Sequence, residues 1–132
     1  MLGLLSVAAT REDDAMGHFH DVASDLREPT RELRKAIPDT WGGFAALHQS
    51  AMADGALPAR IKELMALVIG VVEHCDGCVA YHARAAAAAG ATEDEVAEAL
   101  GVALLMNGGP ASVWAPRAFA AYREFAQPAA DS

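Results

Sequence analysis

The residues of this chain best suited to chemistry lie in "EHCDGCVAYHARAAAAAG", Glu73 to Gly90. Cys75 and Cys78 are the only cysteines, and His82 follows four positions after the second. If a helix begins at or just after Cys75, this spacing places all three side chains on one face. The stretch can therefore be a redox dithiol, part of a metal site, or small residues packed in a core.

A helix start at the cysteines favours the redox interpretation. In the first turn of a helix, unpaired backbone N–H groups and the helix dipole stabilise an anion. The thiolate is the reactive form of cysteine, and both a helix N-terminus and Cys-x-x-Cys spacing favour it. His82, one turn further on, can accept or return a proton. These residues suit a dithiol that cycles through a disulfide.

Glu63 is the next candidate, because it directly precedes the apolar run "LMALVIGVV", Leu64 to Val72. If the helix that contains this run packs beside the cysteine helix, the Glu63 carboxylate can approach the thiols. Partial desolvation would make it a usable proton carrier near neutral pH. Spacing alone, however, favours a charged residue on a helix surface.

A metal site is the main alternative use of these side chains. Cys75, Cys78 and His82, with Glu63 or His74, could supply the four ligands of a structural zinc site. No second Cys-x-x-Cys or histidine pair completes a familiar zinc pattern. His74 is equally consistent with a solvated loop residue. We expect no cofactor, since no Gly-rich phosphate loop is present.

Apart from the His18/His20 pair, whose members would point to different sides of a helix, the remaining histidines have no partner at ligand spacing. His18, His20 and His48 are predicted to lie at the surface or at subunit contacts, and Trp41 and Trp114 are predicted to pack at helix starts or subunit contacts.

Length and charge limit the classes of function. At 132 residues the chain is predicted to form one domain, residues 1–132, with 53% apolar residues and a formal net charge of −8. Such an acidic surface repels phosphate backbones and anionic membrane surfaces, so neither nucleic acid nor a membrane is an expected partner.

Glycine and proline divide the chain into helical segments, with no sustained alternation typical of strands. The capping pair Thr92 and Glu95 predicts the start of one of these helices. The predicted helices run from about 13 to 35 with a break near Pro29, 38 to 52, 58 to 73, 75 to 90, 92 to 106 and 110 to 125. The fold class is therefore all-α, a bundle of about six helices.

The apolar run from Leu64 to Val72 is too short to cross a membrane, which takes about 20 residues. The first ten residues, "MLGLLSVAAT", are apolar but lack a preceding basic segment and are short for a signal peptide. They are expected to pack on their own domain or on a neighbouring subunit. A cytoplasmic location follows, where a Cys-x-x-Cys pair is more often catalytic or metal-binding than structural.

The segment "KELMALVIGVVEHCDGCVAYHARAAAAAGATEDEVAEAL" resembles the core of the alkylhydroperoxidase D-like, carboxymuconolactone decarboxylase superfamily. The pattern of that family is a glutamate, eleven residues, and then Cys-x-x-Cys-x-x-x-His. Glu63, Cys75, Cys78 and His82 match it at each step. With "MNGGPA" further on, the resemblance covers residues 38–125 and is to the small one-domain members.

This resemblance implies an all-helical alkylhydroperoxidase D-like fold and thiol-dependent peroxidase chemistry. By family analogy, Cys78 attacks the O–O bond of a hydroperoxide and Cys75 resolves the sulfenic acid to a disulfide. Glu63 and His82 would form the proton relay. A dithiol reductant, in the family a protein-bound lipoyl group, would then reopen the disulfide.

The sequence departs from that pattern between the cysteines. The well-known peroxidase members carry a relay histidine at the position of Gly77, and its absence here puts peroxidase efficiency in doubt. The chain also corresponds to half of the two-domain members. Because half-size members build the equivalent packing by association, the resemblance implies a homo-oligomer, most simply a hexamer built as a trimer of dimers.

Two other functions remain as alternatives. A carboxymuconolactone-type decarboxylase protonates a carbanion and has no use for a thiol pair, so the Cys-x-x-Cys argues against it. A non-catalytic oligomeric module that senses oxidation or holds a metal would use the same residues as a peroxidase. Repeated turnover with a recycling dithiol separates an enzyme from a sensor.

Overall fold

A computed structural model describes residues 17–127 of the chain, and within them the backbone forms helices and no strands. The first ten residues, predicted to pack on this domain or a neighbour, lie outside the described part. The helices are α1 His18–Ala36, α2 Pro38–Met52, α3 Ala59–Val72, α4 Asp76–Ala88, α5 Glu93–Asn107 and α6 Gly109–Ala126. The prediction of six helices is confirmed.

The predicted break in α1 near Pro29 is wrong, because the helix continues through Pro29 to Ala36. A proline inside a helix removes one backbone hydrogen bond, the one that would reach the carbonyl four residues earlier. That carbonyl belongs to Asp25, and both Asp25 and Pro29 are exposed, so water can replace the lost partner.

The core is built from small side chains, which lets the helices approach closely. Helix α4 packs against α1, α3 and α6, and α5 covers α3 and α6. The fully buried residues at these contacts include Leu67, Val71, Val79, Ala83, Ala86, Val96, Ala103, Ala118 and Ala121. The alanine-rich α4 is therefore the central helix of the bundle, and the cysteines lie at its N-terminal end.

The connection from α4 to α5 has the form that its sequence predicts. Gly90 adopts a φ of 88°, a left-handed conformation that glycine adopts without strain. Thr92 Oγ1 accepts from the N–H of Glu95, and the Glu95 side chain accepts from the N–H of Thr92. Tyr122 of α6 donates its hydroxyl to the carbonyl of Ala91 at 2.6 Å, which ties this connection to the last helix.

Helix α2 differs from the others because none of its residues is buried. Within residues 17–127 it packs on α1 and α3, and its His48 also meets Tyr81 of α4. Phe44 and Leu47 leave 57% and 65% of their surface exposed. None of the helices described between residues 17 and 127 is both long and apolar enough to cross a membrane.

Candidate active site

Cys75 and Cys78 lie at the start of α4 and are joined by a disulfide, with their Cα atoms 5.2 Å apart. Cys75 is the N-cap residue, and its Sγ accepts a hydrogen bond from the Cys78 N–H at 3.2 Å. Both cysteines are partly exposed. The predicted helix start is thus confirmed, and it places both sulfur atoms in the first turn, where an anion is stabilised.

Gly70 of α3 allows this helix to pack closely against α4, which begins with the cysteines. A Cβ atom added at Gly70 would lie 3.2 Å from the Cβ of Cys78 and 3.5 Å from the backbone nitrogen of Val79. Only a residue without a side chain permits this separation of α3 and α4 without a shift. Gly70 was not singled out in the sequence, where a glycine inside an apolar run has no distinctive signal.

The same pair of helices brings Glu63 and His82 together. Glu63 Oε2 lies 2.7 Å from His82 Nδ1. Glu63 is only 8% exposed, so the interpretation that spacing alone favoured, a charged residue on a helix surface, is wrong. The two helices run in opposite directions. Glu63, two turns before Gly70 on α3, therefore faces His82, one turn after Cys78 on α4.

The hydrogen bond to Glu63 determines which nitrogen of His82 can act as a base. An ionised carboxylate only accepts, so His82 Nδ1 carries the proton and donates it to Glu63. Nε2 is then the basic nitrogen of the neutral ring. The buried carboxylate also stabilises the ring when it is protonated. The pair is therefore equipped to take up and return a proton beside the first turn of α4.

His74 is not brought into this pair. Its backbone adopts a φ of 55°, and its exposed ring stacks on Trp114 with the ring centres 5.1 Å apart. The guanidinium of Arg117 lies over the same tryptophan. His20, another histidine predicted to have no partner, instead contacts Glu124 at 3.2 Å. Sequence spacing could not show either contact, because the partners are about 40 and 104 residues away.

The position between the cysteines is covered from α1. A Cβ atom added at Gly77 would meet Cδ1 of Leu26 at 2.9 Å. Leu26 thus occupies the space beside Gly77, where the resembling peroxidases place a histidine. On the other side, the ring of Tyr81 packs edge-on against His82 and against His48 of α2.

His48, Tyr81 and Leu26 are the neighbours of the site that sequence reasoning missed. Tyr81 follows Cys78 by three positions, a spacing that could have identified it. Within residues 17–127, no three His, Cys, Asp or Glu side chains are arranged to hold a metal ion.

The fold and site together define an all-helical protein with a disulfide-forming cysteine pair and a buried carboxylate that is hydrogen-bonded to a histidine. Residues 38–121 match the Carboxymuconolactone decarboxylase family, which is most of the chain. The chain belongs to that family, and it is a member with a Cys-x-x-Cys pair. The resemblance expected from the sequence is confirmed.

Sequence relatives come from several bacteria. An uncharacterized protein of Cupriavidus necator is 36% identical over 103 residues, which are 76% of this chain and 91% of the relative. An uncharacterized protein of the cox locus of Paracoccus denitrificans is 38% identical over 93 residues, 70% of this chain and 84% of the relative.

Solved structures of two similar proteins carry the same fold. A carboxymuconolactone decarboxylase family protein of Legionella pneumophila aligns with a TM-score of 0.81 and 36% identity, over 83% of this chain and 97% of that one. A family member from Thermotoga maritima, for which involvement in an antioxidative response has been suggested, aligns with a TM-score of 0.65 and 31% identity, over 76% of this chain and 88% of that one. The all-α fold is confirmed.

Proposed function

We propose that this protein is a thiol-dependent peroxidase that reduces hydroperoxides through a dithiol–disulfide cycle. The observation that carries the proposal is the hydrogen bond of 2.7 Å between the buried Glu63 of α3 and His82 of α4, the helix that begins with the cysteine pair. A carbanion-protonating decarboxylase needs a proton donor but no second thiol. A peroxidase that works through a dithiol needs a proton donor and a second thiol. This site contains His82 as the proton donor and Cys75 as the second thiol.

The first step uses Cys78, which the family resemblance makes the peroxidatic residue. Its thiolate attacks the terminal oxygen of the hydroperoxide, the O–O bond breaks, and Cys78 becomes a sulfenic acid. His82 takes the proton of the Cys78 thiol as the thiolate forms, and it gives that proton to the alkoxide, which leaves as an alcohol. Glu63 stabilises the imidazolium before that transfer, in the same way that a carboxylate supports histidine in other nucleophilic sites.

The second step returns the site to the state seen in the structure. The thiol of Cys75 attacks the sulfenic sulfur of Cys78, a disulfide forms and water leaves. The Cα separation of 5.2 Å lies inside the range that a disulfide requires, so the backbone accommodates both states. A dithiol of the lipoyl type then reduces the disulfide by two electrons and is itself oxidised to a cyclic disulfide.

The protein is proposed to act as a homo-oligomer, in the form of a hexamer. Support comes from apolar side chains that the single chain leaves uncovered, including Phe44, Leu47, Ile69, Leu105 and Val113. Association of chains through these side chains would remove them from water, which favours an oligomer.

The deciding experiment counts free thiols on fully reduced, metal-free protein before and after one equivalent of tert-butyl hydroperoxide, then follows peroxide consumption with dihydrolipoamide. We expect both thiols to disappear together and many equivalents of peroxide to be consumed. Thiols that survive the peroxide would contradict the peroxidase proposal. A single round of oxidation without turnover would instead indicate a sensor.

Variants test which cysteine is peroxidatic. In Cys78→Ser, Cys75 should stay unmodified during the first exposure to peroxide, whereas Cys75→Ser should accumulate a sulfenic acid on Cys78. A dimedone-type label followed by peptide mass analysis reads both. Rapid labelling of Cys75 in Cys78→Ser would reverse the two assignments.

A further inference from the structure

The connection from α3 to α4 is a tight turn that leads directly into the cysteine pair. The backbone N–H of His74 donates to the carbonyl of Val71 at 3.2 Å, and the N–H of Cys75 donates to the carbonyl of Gly70 at 3.0 Å. These two bonds form a Schellman motif, in which the residue after the end of the helix takes a left-handed conformation. That residue is His74, with a φ of 55°. Its backbone therefore determines where Cys75 lies relative to α3.

The same motif ends α4, but there the left-handed residue is a glycine. Gly90 has a φ of 88°, its N–H donates to Ala87, and the N–H of Ala91 donates to Ala86. Glycine adopts this conformation without strain, whereas the Cβ of another residue crowds the following carbonyl oxygen. The strain shifts an equilibrium by about fivefold to thirtyfold. In the described part of the chain, every residue with a positive φ except His74 is a glycine.

A stacked tryptophan offsets the strain at His74. The imidazole lies parallel to the indole of Trp114, with ring centres 5.1 Å apart and an angle of 4° between the planes. Beyond the surface that it buries, such an aromatic pair shifts an equilibrium by about twofold to twelvefold. This gain is comparable to the cost of the left-handed backbone, so the stack explains why a histidine can occupy the position of a glycine.

Trp114 is in turn held in place by its own helix. Its side chain is partly buried and packs against the hydrophobic core. The guanidinium of Arg117, one turn later on α6, lies 4.6 Å from the centre of the indole ring, which is a cation–π contact. Helix α6 packs against both α3 and α4. The indole is therefore a fixed surface on which the exposed ring of His74 stacks.

The positions of both cysteines depend on the turn that His74 forms. Cys75 is the N-cap of α4, and its Sγ accepts from the N–H of Cys78. The N–H of Cys75 is bonded to Gly70, the residue of α3 that also lies against the Cβ of Cys78. A change of φ at His74 would break the bond from Cys75 to Gly70 and move Cys75 relative to Cys78.

We propose that His74 and Trp114 are positioning residues that keep Cys75 within disulfide distance of Cys78, a role that rests on the proposed dithiol–disulfide cycle. In the oxidised protein the disulfide itself keeps Cys75 in place. In the reduced protein that bond is absent, and the turn keeps its left-handed form because the stack on Trp114 offsets the strain. The stack therefore determines how readily the two thiols close into a disulfide.

An equilibrium with a small dithiol measures this role without peroxide. The reduced protein gives two electrons and two protons to lipoamide, which yields the Cys75–Cys78 disulfide and dihydrolipoamide. Each protein is equilibrated in buffers with different ratios of the two small molecules, quenched with acid and alkylated, and the oxidised fraction is read by mass spectrometry. Urea unfolding of the oxidised protein measures stability separately.

Two substitutions at His74 separate the backbone conformation from the ring. His74→Ala keeps the strain and removes the stack, so the equilibrium constant for disulfide formation should fall at least about fivefold. His74→Gly removes the ring and the strain together, so the constant should stay within about twofold of wild type. An unchanged constant in His74→Ala would overturn the proposal. Equal falls in the two variants would overturn it as well, because the strain would then have no role.

Trp114 is tested by rescue. Trp114→Ala leaves His74 strained and should lower the constant at least about fivefold, whereas Trp114→Phe keeps a ring for stacking and should lower it less. In the double variant Trp114→Ala/His74→Gly the constant should return to within about twofold of wild type, because glycine needs no compensation. The lost packing of the indole still lowers its stability to urea. A constant as low in the double variant as in Trp114→Ala would overturn the proposal.

Gly90→Ala is the matched control. It imposes left-handed strain on the same motif at the other end of α4, where an added Cβ meets nothing within 4 Å. It should lower stability to urea and leave the equilibrium constant unchanged. A fall as large as that in His74→Ala would show that general stability sets the constant, which would overturn the positioning role. If the constants vary as expected but peroxide does not oxidise the thiols, the peroxidase proposal fails and the positioning role stands.

Discussion

At the scale of single residues, the site depends on the carboxylate of Glu63. The residues next to Glu63 in the sequence do not show that this carboxylate is buried. Glu63 follows a lysine and precedes the apolar run of α3, a context equally suited to a helix surface. Its burial results from the antiparallel packing of α3 on α4, which places His82 within hydrogen-bond distance. A buried charge of this kind persists only with a partner, so the two residues act as one unit.

The change Glu63→Gln removes the charge and keeps an oxygen that accepts from His82 Nδ1–H. We expect kcat/KM for tert-butyl hydroperoxide to fall by about 10²-fold, because the imidazolium loses its stabilising charge. The measurement is steady-state peroxide consumption with dihydrolipoamide. Glu98→Gln, the same substitution at an exposed position of α5, is the matched control and should keep the wild-type rate. A rate within twofold of wild type in Glu63→Gln would remove the pair from the mechanism.

The neighbours of the cysteines show what residue identity alone could not provide. The spacing of Cys75, Cys78 and His82 was sufficient to place them on one helix, because their contacts are local. Leu26 reaches Gly77 from a helix that is about 50 positions away in the sequence. Only the packing of α1 on α4 determines what fills the position that carries a histidine in the resembling peroxidases.

At the scale of helices, the contact between α3 and α4 positions the thiols. Replacing Gly70 with alanine has two opposed effects on the free energy of unfolding. Alanine stabilises a helix interior by about 0.5–1 kcal/mol relative to glycine. Overpacking costs about 1–3 kcal/mol, and here the new methyl group meets the Cβ of Cys78 at 3.2 Å. The second effect is the larger.

We therefore expect Gly70→Ala to lower the free energy of unfolding by about 1 kcal/mol and to slow thiol oxidation by peroxide, as α4 shifts away from α3. Urea unfolding and stopped-flow thiol oxidation provide the two measurements. Gly101→Ala is the control, since an added Cβ there meets nothing within 4 Å, and it should stabilise the protein. Stabilisation of equal size in both variants would show that α3 and α4 do not need the close contact.

The start of α5 gives a prediction for pH dependence. The hydrogen bond from the backbone N–H of Thr92 lowers the pKa of Glu95, and the charge of Arg60 adds to this effect. Because the pKa is lower in the folded state, Glu95 contributes stability above its unfolded pKa, and this contribution is lost as the pH falls through the folded pKa. Thr92 and Glu95 form the capping box predicted from the sequence.

We expect Glu95→Gln to be less stable than the wild type at pH 7 and equally stable once the pH lies below the lowered pKa of Glu95. Unfolding by urea at a series of pH values between 7 and 3 measures this difference. Exposed Glu98→Gln serves again as the control, and its difference from wild type should not vary in the same way. A difference that persists at the acidic end would mean that the amide itself disturbs the cap.

Most of the helices could be predicted because their ends are local. Gly90, Thr92 and the glycines before Pro110 end or start helices through the conformation of their own backbone, and five of the predicted ranges agree with the structure within a few residues. The break predicted at Pro29 is wrong, because a helix tolerates a proline where the carbonyl four residues earlier, here that of Asp25, can be hydrated. The burial of Glu63 could not be predicted, since it depends on which helices pack together.

At the scale of the whole molecule, α2 is the helix that the rest of residues 17–127 covers least. It has no buried residue and packs on α1 and α3, with one ring contact from His48 to Tyr81 of α4. Trp41, Phe44 and Leu47 nevertheless form an apolar stripe along it. Trp41 and Phe44 also pack edge to face, with ring centres 5.9 Å apart. A helix with so few contacts of its own gains most of its stability from packing supplied elsewhere. In the proposed homo-oligomer that packing comes from a second copy of the chain.

The double variant Phe44→Glu/Leu47→Glu tests this role of α2. Burial of such side chains contributes about 1.5–3 kcal/mol each. Replacing two of them with charges should therefore lower the association constant of each subunit contact by at least about a hundredfold. Sedimentation velocity should then change from an assembly of 13.8 kDa subunits to the monomer. Gln49→Glu adds the same charge at an exposed position on another side of α2 and should leave the assembly intact. An assembly of unchanged mass in the double variant would mean that the contacts between subunits lie on other faces, such as those of Ile69 and Leu105, and that α2 is stable without a partner.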